Sequence, residues 1–234
     1  MPECFAWPAI KRDFDTNGFV RIPGFLAPAQ AAEAARRLEM FIRDIVPKIP
    51  AREVYYEIEG RADAIKSITS LAEHDPYFRD LYNGENFIAA ASRLLGGAAR
   101  PPSVHQLNKP AKVGKPTQPH QDAAYLSFPP GNSLTLWLAL EAAASDNGAM
   151  IYLRGSHLCG LQPHYDNGSN YFAKELAAYE GYGSPDEIRV CAAPGDLLAH
   201  HSLTIHRTED NRTERSRNAL IADFILDSAK DRDD

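Results

Sequence analysis

Beyond Pro101-Pro102 the sequence breaks into short apolar segments, at residues 103–109, 120–128, 133–140, 149–153, 188–191, 196–199, 202–206 and 218–226, separated by Pro, Gly, Asn and Asp. Runs of that length suit strands. Eight of them in succession with such punctuation predict an antiparallel sandwich or barrel rather than a βαβ fold. The first hundred residues read differently. Asn17-Gly18 signals a turn before a short strand over residues 19–26 that ends at Pro23-Gly24. From 28 to 46, Ala31, Ala35, Leu38, Ile42 and Ile45 recur at spacings of three and four, with Glu33, Arg36, Arg37 and Arg43 between them. This predicts an amphipathic helix covering one side of a sheet, started at Pro28 and stopped by Pro47. Val54-Tyr55-Tyr56-Glu57-Ile58 reads as a strand, and a helix pair is expected over 75–96, opened by Asp75-Pro76 and closed at Gly96-Gly97.

The expected architecture is therefore one domain over residues 1–234: mainly β with flanking α, residues 1–100 mostly helical support and 101–226 an antiparallel sandwich or barrel core, which the resemblance given below makes a jelly roll. Residues 163–187 read as an insert of lid type with a short helix at 173–179, and 227–234 as a polar tail.

Charge and cysteine usage narrow the function classes. Lys plus Arg number 25 against 31 Asp plus Glu, a formal charge of −6, so electrostatics offers nothing to attract nucleic acid or an anionic membrane. Cys4, Cys159 and Cys191 are far apart and odd in number, which suggests no disulfide framework. The start shows no basic region followed by an apolar run, and no stretch approaches the roughly 18 apolar residues of a membrane span. A soluble cytoplasmic protein, monomer or homodimer, acting on a small molecule is the expectation.

The chemistry concentrates in Pro119-His120-Gln121-Asp122-Ala123-Ala124-Tyr125. On a strand, period-two alternation points the His120 imidazole and the Asp122 carboxylate to one face. A third ligand from a distant strand would complete a two-His, one-carboxylate set of the kind that suits ferrous iron. His206, in the cluster with His200 and His201, lies on the penultimate segment and would meet the pair inside a closed jelly roll. After it comes a charged loop with Asp210-Asn211 as its turn, then Arg217 at the start of an apolar strand read as the antiparallel neighbour of the His206 strand. An Arg there could fork onto a carboxylate held near a metal; Arg215 shares its alternation parity, so spacing does not separate the two.

The chain resembles the phytanoyl-CoA dioxygenase family of iron- and 2-oxoglutarate-dependent oxygenases. The matching pieces are Asn108-Lys109-Pro110, the His120 to Tyr125 stretch, Leu136-Trp137-Leu138-Ala139-Leu140, Asp146-Asn147-Gly148-Ala149-Met150, Gly155-Ser156-His157, Pro194-Gly195-Asp196, Ile205-His206-Arg207-Thr208 and the run from Asn211 to Arg217. The resemblance runs from about residue 13 to 226. It implies a double-stranded β-helix core of cupin type with the N-terminal helices packed on one sheet. It implies Fe(II) held by His120, Asp122 and His206, with 2-oxoglutarate and O2 as cosubstrates. Arg217, eleven residues after His206, would bind the far carboxylate of 2-oxoglutarate with help from Thr208. Trp137, Lys66, His105 and Gln106 would line the cosubstrate pocket, although a lone Lys such as Lys66 is otherwise read as solvated. Tyr55, Tyr56, Tyr125, Phe128, His157, His164 and Tyr171 are the candidate substrate contacts, and His201 a candidate outer partner of the metal site. The implied reaction is hydroxylation of an unactivated C–H bond with release of succinate and CO2. Asp122 favours it over halogenation, because halogenases of the superfamily lack that carboxylate. Desaturation or ring chemistry, a cupin-like hydrolase or isomerase, and a binding module without turnover are the alternatives.

Overall fold

The computed structural model describes residues 5–126, 130–169 and 171–229. Helix α1 (Trp7–Asn17) sets Trp7, Ile10 and Phe14 at helical spacing against the core, and Gly18, left-handed at φ 85°, ends it by donating to the Phe14 carbonyl. The Asn17-Gly18 turn of the sequence reading is thus a helix cap. Strand β1 (Phe19–Ile22) leads to α2 (Pro28–Asp44), which buries Ala31, Ala34, Leu38 and Phe41 and packs Ala35 and Ile42 at the margin. Strands β2 (Val54–Tyr56) and β3 (Ile65–Ile68) precede three helices: α3 (Leu71–His74), α4 (Pro76–Tyr82) and α5 (Glu85–Leu95). Asp75 caps α4 by accepting from the Tyr77 amide, and Gly96 ends α5 in the left-handed region. No helix among the described residues is long and apolar enough to cross a membrane.

The remaining strands are β4 (Ala99–Leu107), β5 (Thr117–His120), β6 (Ser133–Ala139), β7 (Met150–Leu153), β8 (His164–Asp166), β9 (Lys174–Leu176), β10 (Glu187–Val190), β11 (Leu197–His201), β12 (His206–Thr208) and β13 (Ala219–Leu226). They form a large sheet ordered β1-β11-β6-β13-β4-β3-β2, a smaller one ordered β10-β7-β12-β5, and the hairpin β8-β9. All the pairings are antiparallel, giving the jelly roll.

Strand β6 shows why the layers stack as they do. Every residue in it is buried, because both its faces are covered. Leu134, Leu136 and Leu138 turn outward and join the helices in the larger core with Leu38, Phe41, Phe78 and Phe87. Trp137 and Ala139 face inward and pack with Phe19, Met150, Tyr152 and Leu198 between the sheets. The helical layer braces the large sheet from behind and leaves its inner face to build a chamber.

Several sequence expectations need correction. The 173–179 helix is absent: β9 pairs with β8, from His164↔Leu176 to Asp166↔Lys174. The Tyr125 hydroxyl locks that strand by donating to the Lys174 carbonyl and accepting from its amide, both at 2.9 Å. Residues 202–205 connect strands, and β12 begins at His206. The strand after Arg217 pairs with β4 and β6 in the large sheet and not with β12. Lys66 is not solvated but half-buried on β3, its Nζ 3.7 Å from Glu57. Phe128 and residues 230–234 lie outside the described residues.

The Pro194-Gly195-Asp196 motif is a clamp. Buried Asp196 accepts from the Gly24 and Ala193 amides at 2.8 Å each and from Arg21 Nε at 2.9 Å, tying β1 to the entry of β11. Asp196→Ala leaves those donors without their acceptor and is expected to lower stability by about 2 kcal/mol or more, read as a reduced urea midpoint. His201, packed against Phe14 and His157, has its pKa pushed down to about 4 by burial and by His157. The unfolded chain takes up that proton first. The stability His201 contributes is therefore complete above pH 6.5 and is lost as pH falls from 6.5 toward about 4. The melting temperature of His201→Gln should fall less steeply across that window.

Candidate metal centre and its chamber

Strand β5 ends at His120, and Asp122 opens a 3₁₀ turn, 122–124. The two ligands are therefore not alternate residues of one strand, yet they converge. Gln121 between them turns the other way and is fully buried. Its amide group donates to the Gly160 and Leu203 carbonyls (3.0 and 2.7 Å), and its Oε1 accepts from the Gln162 amide. His164 accepts from the Gln121 backbone N–H at 3.2 Å. Gln121 anchors the turn that aims its neighbours.

His206 comes from β12, directly opposite His120 on β5, with the rings 4.2 Å apart. Each imidazole uses Nδ1–H on the carbonyl two residues back: His120 on Gln118 at 2.8 Å and His206 on Thr204 at 3.0 Å. That fixes both tautomers and leaves both Nε2 lone pairs free. Asp122 Oδ1 lies 3.6 Å from each Nε2. The three ligand atoms all fall within 4.8 Å of one another. Burial lowers the pKa of His120 and His206, which keeps them neutral and ready to donate lone pairs. Burial pushes the Asp122 carboxyl up, but His206 and the His200 hydrogen bond outweigh it and hold the group well below the usual carboxylate range. His120 Nε2 has no hydrogen-bond partner, as expected of a ligand atom. Two neutral imidazoles and one carboxylate in this arrangement fit ferrous iron.

The other oxygen of Asp122 is held from behind. Oδ2 is 2.6 Å from the Thr135 hydroxyl and accepts from His200 Nε2–H at 2.9 Å, while His200 Nδ1 accepts from the Tyr152 hydroxyl at 3.1 Å. The partner of Asp122 is thus His200; His201 points to the outer layer. Thr135 also reaches Asp223 Oδ1 at 2.8 Å. Sequence reasoning did not single out Thr135, Tyr152 or Asp223. An acid in the middle of Ala219-Leu220-Ile221-Ala222-Asp223-Phe224 was a signal that could have found the last of them.

Thr135, His200 and Asp223 border a cavity of about 330 Å³, whose lining also includes Asp122, His206, Trp137, His105, Tyr125 and Tyr171. Arg217 is fully buried beside it, its guanidinium 5.2 Å over the Trp137 ring and bonded to the Gly148 carbonyl at 3.1 Å. Its Nε and the Trp137 Nε1 have no partner. Burial lowers the Arg217 pKa to about 10, so it remains a cation at neutral pH. Arg215 is exposed and faces Asp146, which separates it from Arg217. Lys109 lies behind: its stem fills the space that a side chain on Gly148 would need.

The other expected contacts are more scattered. Thr208 is buried and accepts from the Thr117 amide at 3.1 Å, in register with Met150, which lines the cavity. Gln106 bonds Asn218 at 2.8 Å. Lys66, Tyr55 and Tyr56 line a neighbouring pocket, which shares Tyr171 with the cavity. His157 bonds the Asp15 carbonyl at 3.0 Å, near the C-terminal end of α1, and packs on His201. Neither His157 nor His164 lines the cavity.

A profile of the family described as phytanoyl-CoA dioxygenase matches residues 14–219. The peroxisomal phytanoyl-CoA dioxygenase of Mus musculus is 32% identical over 240 residues, covering 92% of this chain and 67% of the relative. The phytanoyl-CoA dioxygenase of Arabidopsis thaliana is 30% identical over 153 residues, and there the match spans only 53% of the relative's length. Among solved structures, the epimerase SnoN in complex with Fe3+, alpha ketoglutarate and nogalamycin RO superposes with a TM-score of 0.77 at 24% identity, over 97% of this chain and 86% of that one. EvdO2 from Micromonospora carbonacea var. aurantiaca, complexed with 2-oxoglutarate, gives 0.76 at 23% identity, over 97% and 93%. At these identities the structural likeness establishes the jelly-roll fold. With its profile match and its mammalian relatives, this chain belongs to the phytanoyl-CoA dioxygenase family.

Proposed function

We propose that this protein is an Fe(II)- and 2-oxoglutarate-dependent oxygenase that hydroxylates a C–H bond of a small molecule. The observation that carries the reading is the convergence of His120 Nε2, Asp122 Oδ1 and His206 Nε2 at a cavity with a buried, still charged Arg217 beside it. His120, Asp122 and His206 would hold the iron, which when bound would supply the oxidising power as 2-oxoglutarate and O2 are consumed, one oxygen atom of O2 going to succinate (with loss of CO2) and the other to the C–H bond of the substrate.

This chain's own residues do the positioning. Arg217, screened from water by Trp137, offers its unpartnered Nε to a carboxylate, where a charge-assisted bond is strong. Thr135 and His200 fix the orientation of Asp122, so that one oxygen serves the metal while the other is occupied. Tyr125, Tyr171 and Phe172 wall the chamber, which limits water around the reacting carbon. We read the segment around the β8-β9 hairpin, which contributes Tyr171, Phe172 and Ala173 to that wall, as the cover of the chamber. With Asp122 filling the third ligand position, oxygen insertion is the outcome proposed.

Anaerobic protein mixed with Fe(II) and 2-oxoglutarate should develop a weak visible charge-transfer band, absent from His206→Ala. Arg217→Ala should keep iron binding but weaken 2-oxoglutarate by about ten- to a hundredfold, the size of a lost charge-assisted bond. Slow succinate release without a primary substrate would separate an oxygenase from a binding module. Tight Fe(II) binding that survives loss of both His120 and His206 would refute the assignment.

A further inference from the structure

Four strands of the large sheet lie side by side in the order β11, β6, β13, β4, and their register puts His200, Thr135, Asp223 and Ser103 in one row across the inner face. His200 and Thr135 serve Asp122. Asp223 continues the row away from the metal ligands. It lines the cavity and keeps part of its surface open there. Its Oδ1 meets Thr135, a hydroxyl with one proton, already 2.6 Å from Asp122.

The charge balance of the chamber is unusual. Its lining contains two carboxylates, Asp122 and Asp223, and no Lys or Arg. Asp122 is accounted for by the metal site. No ion pair to Asp223 is formed among the described residues. Arg217 is stacked on Trp137, and Lys66 faces Glu57 in the neighbouring pocket. A buried carboxylate with no counter-charge is unfavourable unless a ligand supplies one. Two further features fit a cationic ligand. Tyr125 and Tyr171 bring aromatic rings to the same chamber, and aromatic faces attract ammonium groups; Phe172 beside them already has the Lys66 ammonium of the neighbouring pocket 5.9 Å from its ring centroid. His105, two residues along β4 from Ser103, lines the chamber and has a buried Nδ1 with no partner.

We propose that Asp223 anchors the primary substrate by pairing with a protonated amine, so that this protein acts on a compact, amine-bearing molecule and not on one that brings a carboxylate or phosphate to the iron. The inference rests on reading the cavity as the substrate chamber of an oxygenase. Asp223 sets which molecule is held and in what orientation, with the ammonium at the β13 side and the carbon to be oxidised turned toward His120 and His206. Burial and the proximity of Asp122 raise the Asp223 pKa to about 6, and a bound cation would draw it back toward ionisation.

The test uses three probes of one size, benzylamine, benzyl alcohol and benzoate, titrated calorimetrically into the protein loaded anaerobically with Fe(II) and 2-oxoglutarate, and into the metal-free protein. Benzylamine should bind about tenfold more tightly than benzyl alcohol, with benzoate weakest, and Asp223→Asn should remove that preference while keeping the charge-transfer band. Absence of any preference for benzylamine in the wild type overturns the proposal. So does an undiminished preference in Asp223→Asn, which would leave Asp223 as a positioning group for Thr135. If Asp223→Asn fails to fold, the wild-type order of the three probes decides. If the band never forms, the oxygenase reading fails on its own, and the titration of the metal-free protein still reports on Asp223.

Discussion

An imidazole can offer Nε2 to a metal only if its proton stays on Nδ1, and the centre of this protein is built around that condition. His120 and His206 meet it in the same way, each donating to the carbonyl two residues behind it. Because the strands that carry them are directly paired, satisfying the condition in each also brings the free nitrogens together. The carboxylate obeys a similar division of labour. One oxygen of Asp122 is committed to Thr135 and His200, which leaves the other to face the imidazoles. The bonds to the Asp122 carboxylate are short and charge-assisted, and those from the two imidazoles to backbone carbonyls are ordinary ones. Together they preset ligand directions before any ion arrives, and preorganisation of this kind reduces the entropy lost on binding.

The helices matter to this chemistry at one remove. They cover the outer face of the large sheet with Phe, Leu and Ala side chains, so β6 is sealed from behind. A strand braced in that way can present Thr135 and Trp137 to the chamber from a fixed position. Gln121 does the equivalent work on the smaller sheet, where its side-chain amide joins residues 160–162 and 203 to the ligand turn.

Much of this was legible in the sequence because it depends on local signals. The short punctuated segments pointed to an antiparallel sandwich or barrel, which the family resemblance narrowed to a jelly roll, and the spacing of Ala31, Leu38 and Ile42 pointed to α2. Where the reading failed, long-range pairing had overridden local preference. Residues 173–178, Ala-Lys-Glu-Leu-Ala-Ala, are helix formers by composition, yet the pairing with His164, Tyr165 and Asp166 and the two hydrogen bonds to the Tyr125 hydroxyl hold Lys174–Leu176 extended. Helix α1 escaped notice because three apolar residues among charged ones make a weak stripe. His120, Asp122 and His206, which could together hold a metal ion, stood out as a motif, but the residues that orient them did not. Thr135, Tyr152 and His200 are 13 or more positions from Asp122, and only the sheet register makes them neighbours. Arg217 was found in the wrong company: it precedes a strand of the large sheet and sits behind Trp137, which lines the chamber.

The stacking of Arg217 on Trp137 gives the chamber an optical reporter. The chain has two tryptophans, Trp7 and Trp137. Trp7 lies half-buried on the outer helical layer under the guanidinium of Arg93, away from the chamber. Trp137 is almost wholly enclosed, with a cation over its face and its indole N–H unpartnered. Its excited state senses the electric field along the ring, so any anion that draws Arg217 off the indole changes the emission colour from within. A variant with Trp7 replaced by Phe would isolate that signal and make occupancy of the arginine visible in real time, without label or turnover.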